Sequence, residues 1–188
     1  RQMCIRDRFF IIQSCAMLIQ PLITLYVGQL MHTMGDEVIK TSGIIFSLAG
    51  LAGIIAAPFW GKRGQRFGYM RVFCLVTFLA GFINLFQMFI SDVWQFAAIQ
   101  FVYGLFLAGA VPNINANLTR VTDSNTRGKA FGLVTSAQQF GGVIGPLLGG
   151  FLGGIMATRY VLVTAGGILI CLAIHGFFTR VKGHAVEV

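Results

Sequence analysis

Six apolar stretches divide this chain, and none holds an Asp, Glu, Lys or Arg except at its very ends. They run over approximately 9–31, 41–60, 71–91, 94–118, 129–153 and 159–178. A hydrocarbon core about 30 Å thick is crossed by about 20 helical residues, so each stretch is long enough to span a bilayer. Within lipid every backbone polar group must be satisfied internally, which restricts uncharged spans of this length to helices. The expected fold is therefore all-α and polytopic, with six transmembrane helices. Composition agrees: only 11% of residues are charged and 56% are hydrophobic, whereas a soluble domain carries about 25% charged residues.

The net charge of +8 does not indicate a nucleic-acid-binding surface, because the basic residues lie in short gaps between apolar stretches. Lys62, Arg63, Arg66 and Arg71 fill one gap, and Arg120, Arg127 and Lys129 another, while Arg180 and Lys182 follow the last span. On alternate gaps only Lys40 and Arg159 occur, beside Asp36, Glu37 and Asp92. By the positive-inside rule both ends of the segment face the cytoplasm, and residues 183–188 form a cytoplasmic tail. The opening octapeptide RQMCIRDR resembles translated sequencing adapter, so 1–8 is expected to be a non-native leader before a bundle over 9–182. Cys4, Cys15, Cys74 and Cys171 form no CxxC and read as small apolar residues. No metal or cofactor is expected.

Pro21, Pro58, Pro112 and Pro146 all lie within apolar stretches, a placement tolerated when neighbouring helices satisfy the freed carbonyls. Small residues recur every four positions: Ala49, Gly53, Ala57 and Gly61; Gly104, Ala108, Pro112 and Ala116; and Gly141, Gly145, Gly149 and Gly153. That spacing places them on one helix face, where backbones approach closely. The second, fourth and fifth spans are expected in tight mutual contact, through seams that either only pack or also slide.

The gap GKRGQRFGYMR resembles the signature cytoplasmic loop of the major facilitator superfamily, approximately G-x-x-x-D-R-x-G-R-[RK], at Gly61, Arg66, Gly68 and Arg71. It departs from it at Gln65, where an acid is usual, and at Tyr69 and Met70, where basic residues are expected. The stretch 136–154 resembles the G-x-x-x-G-P-x-x-G-G motif of drug–proton antiporters, with Gly141, Gly145, Pro146, Gly149 and Gly150 in register and Gly153 extending the packing seam. The chain thus resembles the C-terminal six-helix half of a twelve-helix transporter, in a multidrug-efflux subgroup, MdtG-like or tetracycline-type. The resemblance implies alternating access across a bacterial cytoplasmic membrane, with 61–71 as a gating loop. It also implies partners: the lipid bilayer, a small lipophilic or cationic solute, protons, and an N-terminal six-helix half.

Polar side chains inside spans are the candidate cavity lining, since each costs free energy unless satisfied. Gln13, Gln20 and Thr24 share a face of the first span, Asn113 lies in the fourth, and Gln138 and Gln139 precede the glycines of the fifth. Each has an alternative reading as an interhelical hydrogen bond. Asn84 and Gln87 read as structural, and His175 as either a hydrogen-bonded or a proton-relaying group. Phe46, Tyr103, Phe106 and Phe140 are available to stack on lipophilic cations. No carboxylate lies inside a span, so a proton carrier for antiport must come from the other half. A metabolite or sugar transporter of the same superfamily, or a fragment inactive alone, are the alternative functions; an enzyme is excluded by the lack of clustered catalytic groups.

Overall fold

A computed structural model of the chain describes residues 22–31 and 35–184, with side chains as far as 177. The leader 1–8, Gln13, Gln20 and most of the tail lie outside the described residues. The described chain is a helical bundle without strands. Its helices are α1 (Leu22–Met31), α2 (Asp36–Phe67), α3 (Tyr69–Leu85), α4 (Val93–Leu107), α5 (Ala110–Val121), α6 (Arg127–Ile155) and α7 (Thr158–His184). A tight turn over Phe86–Phe89 continues α3, and α4 with α5 make one interrupted span, so six helical units follow one another as expected.

Four of these units, α2, α3 with its turn, α4 with α5, and α7 to Phe177, are long and apolar enough to cross a membrane. Helix α6 has 29 residues, about 44 Å at 1.5 Å per residue; its glycines and paired glutamines dilute its apolarity. Large apolar side chains such as Ile54, Phe89, Leu147 and Phe151 remain exposed on the bundle surface. In water these would be a liability, whereas hydrocarbon solvates them.

The segment 61–71 is not a loop of the length expected. Helix α2 runs on to Phe67 and α3 starts at Tyr69, leaving Gly68 as the sole non-helical residue between them. Gly68 takes φ 93°, ψ 125°, a conformation that a Cβ strongly disfavours. Its N–H donates to Gly64 O at 2.9 Å, and its own carbonyl accepts from the N–H of Arg71 at 3.0 Å and of Val72 at 3.2 Å. One glycine therefore closes α2 and opens α3, so a chain that leaves the membrane surface returns at once.

The small-residue seams are partly as expected. Helices α2 and α4 do meet through theirs: a Cβ at Gly104 would lie 3.0 Å from Ala49 O, and one at Gly53 3.7 Å from the Ala108 Cβ. Among the described residues helix α6 does not reach α2, and it touches the fourth span only lightly, at α5. Gly141, Gly145 and Gly149 are buried, and a Cβ at Gly153 would lie 2.8 Å from Leu22 Cδ2 of α1. Spacing identifies the face but not which helix covers it.

A close backbone approach between α3 and α7 rests on two glycines outside any four-residue repeat. A Cβ at Gly81 would lie 2.8 Å from Gly166 O, and one at Gly166 would lie 2.9 Å from Gly81 O. Asn84, fully buried one turn along, donates from Nδ2 to Leu162 O at 3.0 Å, which bears out its structural reading. Replacing Gly81 with Ala is expected to cost about 1–3 kcal/mol by overpacking against backbone. Gly50→Ala, where a Cβ meets nothing within 4 Å, is the neutral control. Unfolding midpoints of the two variants in detergent check this, and equal midpoints would refute the close-approach account.

Candidate functional site

The fourth span is interrupted at Ala108 and Gly109, between α4 and α5. Pro112 explains the interruption: it has no N–H for the carbonyl of Ala108, and its ring crowds that oxygen. The chain tightens there, with Gly109 N–H donating to Phe106 O at 3.0 Å instead of to Leu105 O. Leu105 O is taken by Trp60 of α2, whose Nε1–H donates to it at 2.9 Å. A neighbouring helix thus supplies the donor that the broken helix lacks, as a hydrocarbon environment requires.

Asn113 returns the contact. Its Nδ2 donates to Trp60 O at 3.2 Å and to Gly109 O at 2.7 Å, and the side chain is fully buried. The indole needs Gly109, since a Cβ there would lie 2.7 Å from Trp60 Cγ. Asn113 needs Gly64 in the same way: a Cβ at Gly64 would overlap Asn113 Oδ1 and lie 2.8 Å from Tyr69 Cδ1. Trp60 also packs beside Phe59 and Phe106, with ring centroids at 5.3 and 5.8 Å. Trp60, Gly64, Gly109 and Asn113 form one clasp between α2 and the break, one turn from Gly68.

Asn113 is therefore held between helices in this structure and is not open to a cavity, which is the interhelical reading of that amide. Thr24 is half-buried on α1. Gln138 is half-buried and Gln139 exposed, about midway along α6. Gly61 and Gly68 are half-buried, and Arg66 and Arg71 exposed, on either side of the α2–α3 connection. Of the α6 glycine motif, Pro146 and Gly150 are exposed and Gly153 is half-buried. His175 lies on an exposed face of α7, away from Thr24 and the α6 glutamines in chain and element. Among the described residues no group of three or more His, Cys, Asp or Glu is placed to hold a metal.

Two features escaped sequence reading. Trp60 looks like an ordinary aromatic at a span end, and its role depends on Leu105 O losing its helical donor where the chain tightens before Pro112. Gln100 on α4 is buried to within 2% with Nε2 unpartnered among the described residues; its neighbours in the sequence, Ile99 and Phe101, gave no sign of a polar interior.

Residues 9–187, nearly the whole chain, match the profile of the Major Facilitator Superfamily. The chain belongs to this superfamily. Its members are membrane transporters and not enzymes. Proteins named multidrug resistance protein MdtG are similar to it: that of Citrobacter koseri is 34% identical over 183 residues, 95% of this chain and 44% of the relative. Those of Dickeya zeae and Yersinia enterocolitica are 33% and 31% identical, over 87% and 91% of this chain and 40% and 41% of themselves. The chain thus spans less than half the length of the curated relatives it matches. In this superfamily chain the clasp joins two spans beside the segment 61–71, which resembles the superfamily's signature loop.

Trp60→Phe keeps the rings but orphans Leu105 O, and is expected to cost about 1 kcal/mol of unfolding free energy. Gly64→Ala, which drives a methyl into Asn113, is expected to cost about 1–3 kcal/mol. Denaturant titration in detergent micelles measures both; a Gly64→Ala protein as stable as the parent would remove the clasp from this account.

Proposed function

We propose that the protein is a secondary active transporter that exports small lipophilic or cationic solutes by proton antiport, with this chain as its C-terminal six-helix half. The observation that carries the reading is the position of Gln138 and Gln139. Two adjacent amides stand half-buried and exposed near the middle of a 29-residue span. Facing lipid they would each be costly, so their face belongs to a wet cavity or to protein. Near the midplane, at the interface of two halves, is where transporters of repeated architecture hold substrate. The relatives' name, multidrug resistance protein, favours drug solutes over metabolites.

On this reading Thr24, Gln138 and Gln139, with Gln13 and Gln20 outside the described residues, line one wall of the cavity. The spans supply neutral hydrogen-bonding groups and no carboxylate, so they orient a solute without moving its counter-ion. The acid that exchanges proton for solute lies in an N-terminal six-helix half. The Gly61, Arg66, Gly68 and Arg71 segment acts at the cytoplasmic gate, as a helix-to-helix hinge. The α6 seam of Gly141, Gly145, Pro146, Gly149, Gly150 and Gly153 lets that helix lie close to α1 while the halves rock. The basic ends of α2, α5 and α7 face the cytoplasm of a bacterial inner membrane.

The test uses protein expressed from its full reading frame in a host stripped of other exporters. Everted vesicles bearing it are expected to release an imposed proton gradient when a lipophilic cation is added. Gln139→Ala is expected to raise the half-saturating concentration about fivefold, the equivalent of one lost hydrogen bond of about 1 kcal/mol. Proton release with a sugar or organic acid, and none with lipophilic cations, would replace the exporter with a metabolite transporter.

A further inference from the structure

The outer face of α3 carries two apolar grooves away from the α6 glutamines, the smaller of which borders the clasp at Trp60. One, of about 530 Å³ between α3 and α7, is lined by Arg71, Cys74, Leu75, Phe78, Ala173, Ile174 and Phe177. The other, of about 300 Å³ between α2 and α3, is lined by Trp60, Arg63, Phe67, Arg71, Val72 and Leu75. Arg71 and Leu75 belong to both. Arg71 stands in the first turn of α3, and Leu75 is the next residue up its exposed face, so the grooves diverge from one guanidinium and run toward the membrane interior on either side of a leucine ridge.

Charge selects the occupant. The segment 61–71 contains Lys62, Arg63, Arg66 and Arg71 and no acid. Arg63 lies over the Phe59 ring, 4.8 Å from its centroid, which holds its guanidinium at the mouth of the smaller groove. No carboxylate forms an ion pair with Arg63 or Arg71 among the described residues. Two cations at the mouth and two apolar clefts below call for a ligand with one anionic head and two hydrocarbon tails. We infer that this face binds an anionic glycerophospholipid, its phosphate between Arg63 and Arg71 and one acyl chain in each groove. Basic pockets between helices at a membrane surface recognise such head groups, and here the single-glycine connection at Gly68 brings the cations of α2 and α3 to one place. Binding there would fasten the α2–α3 hinge to the membrane interface.

Native mass spectrometry of the full-length protein in detergent tests this, with phosphatidylglycerol, phosphatidylcholine of the same acyl chains, one-tailed lysophosphatidylglycerol and glycerol phosphate as probes. Phosphatidylglycerol is expected to be retained over phosphatidylcholine by at least about fivefold per arginine engaged. Arg71→Ala is expected to abolish most of that preference, Arg71→Lys to keep part of it, and Arg63→Ala to reduce it. Ile174→Trp, which fills the larger groove without touching charge, is expected to weaken retention of phosphatidylglycerol and supplies the test if Arg71→Ala does not fold. Equal retention of the two diacyl lipids, or a preference unchanged in both Arg71→Ala and Ile174→Trp, would overturn the site. Lysophosphatidylglycerol or glycerol phosphate binding as firmly as phosphatidylglycerol would overturn the two-tailed occupant.

Discussion

A peptide carbonyl inside hydrocarbon has no water to accept from, and an unsatisfied one costs several kcal/mol. Much of the geometry around α2 follows from this constraint. Pro112 breaks the fourth span and Trp60 answers the break by donating to Leu105 O; Asn113 reciprocates onto Trp60 O. Because each donor comes from the partner helix, the register of α2 against α4 and α5 is specified by hydrogen bonds as well as by shape. The bare positions of Gly64 and Gly109 are what let the indole and the amide approach their targets. The kink and the clasp are one feature seen from two helices.

Elsewhere in the bundle, packing without a hydrophobic driving force depends on backbone proximity, and glycine provides it. Gly81 against Gly166, and Gly104 against Ala49, bring helices together closely enough that a methyl group would meet backbone oxygen. Such contacts are stiff in one direction, since any side chain breaks them, and smooth in another, since nothing interlocks. The α6 glycines differ in leaving part of the helix open on one flank while burying the other. On the proposed reading that open flank, with Gln138 and Gln139, meets solute and the other half.

The connection at Gly68 joins these themes at the membrane surface. A longer loop would let the four basic residues of 61–71 spread into water. A single residue at φ 93° instead fixes the end of α2 and the start of α3 side by side. Arg63 and Arg71 then sit over apolar grooves, on the same short stretch that resembles the superfamily's gating signature. Helix-to-helix connection, charge cluster and apolar clefts coincide because one glycine makes the turn so tight.

The sequence by itself determined that the chain is a six-span helical membrane protein, because uncharged stretches of about 20 residues admit no other solution in lipid. It also determined the superfamily, through Gly61, Arg66, Gly68, Arg71 and the 141–150 glycine–proline pattern. Four-residue spacing correctly marked the faces of α2 and α4 that meet. It could not assign a partner to the α6 face, because periodicity names the face of one helix and nothing across from it. Tertiary structure decided that Asn113 clamps helices while Gln139 stays open, although both are amides in apolar spans. That Asn113 meets Trp60 O depends on how the break before Pro112 sets α5 against α2 and on the space left at Gly64, and both arise only when distant segments pack together.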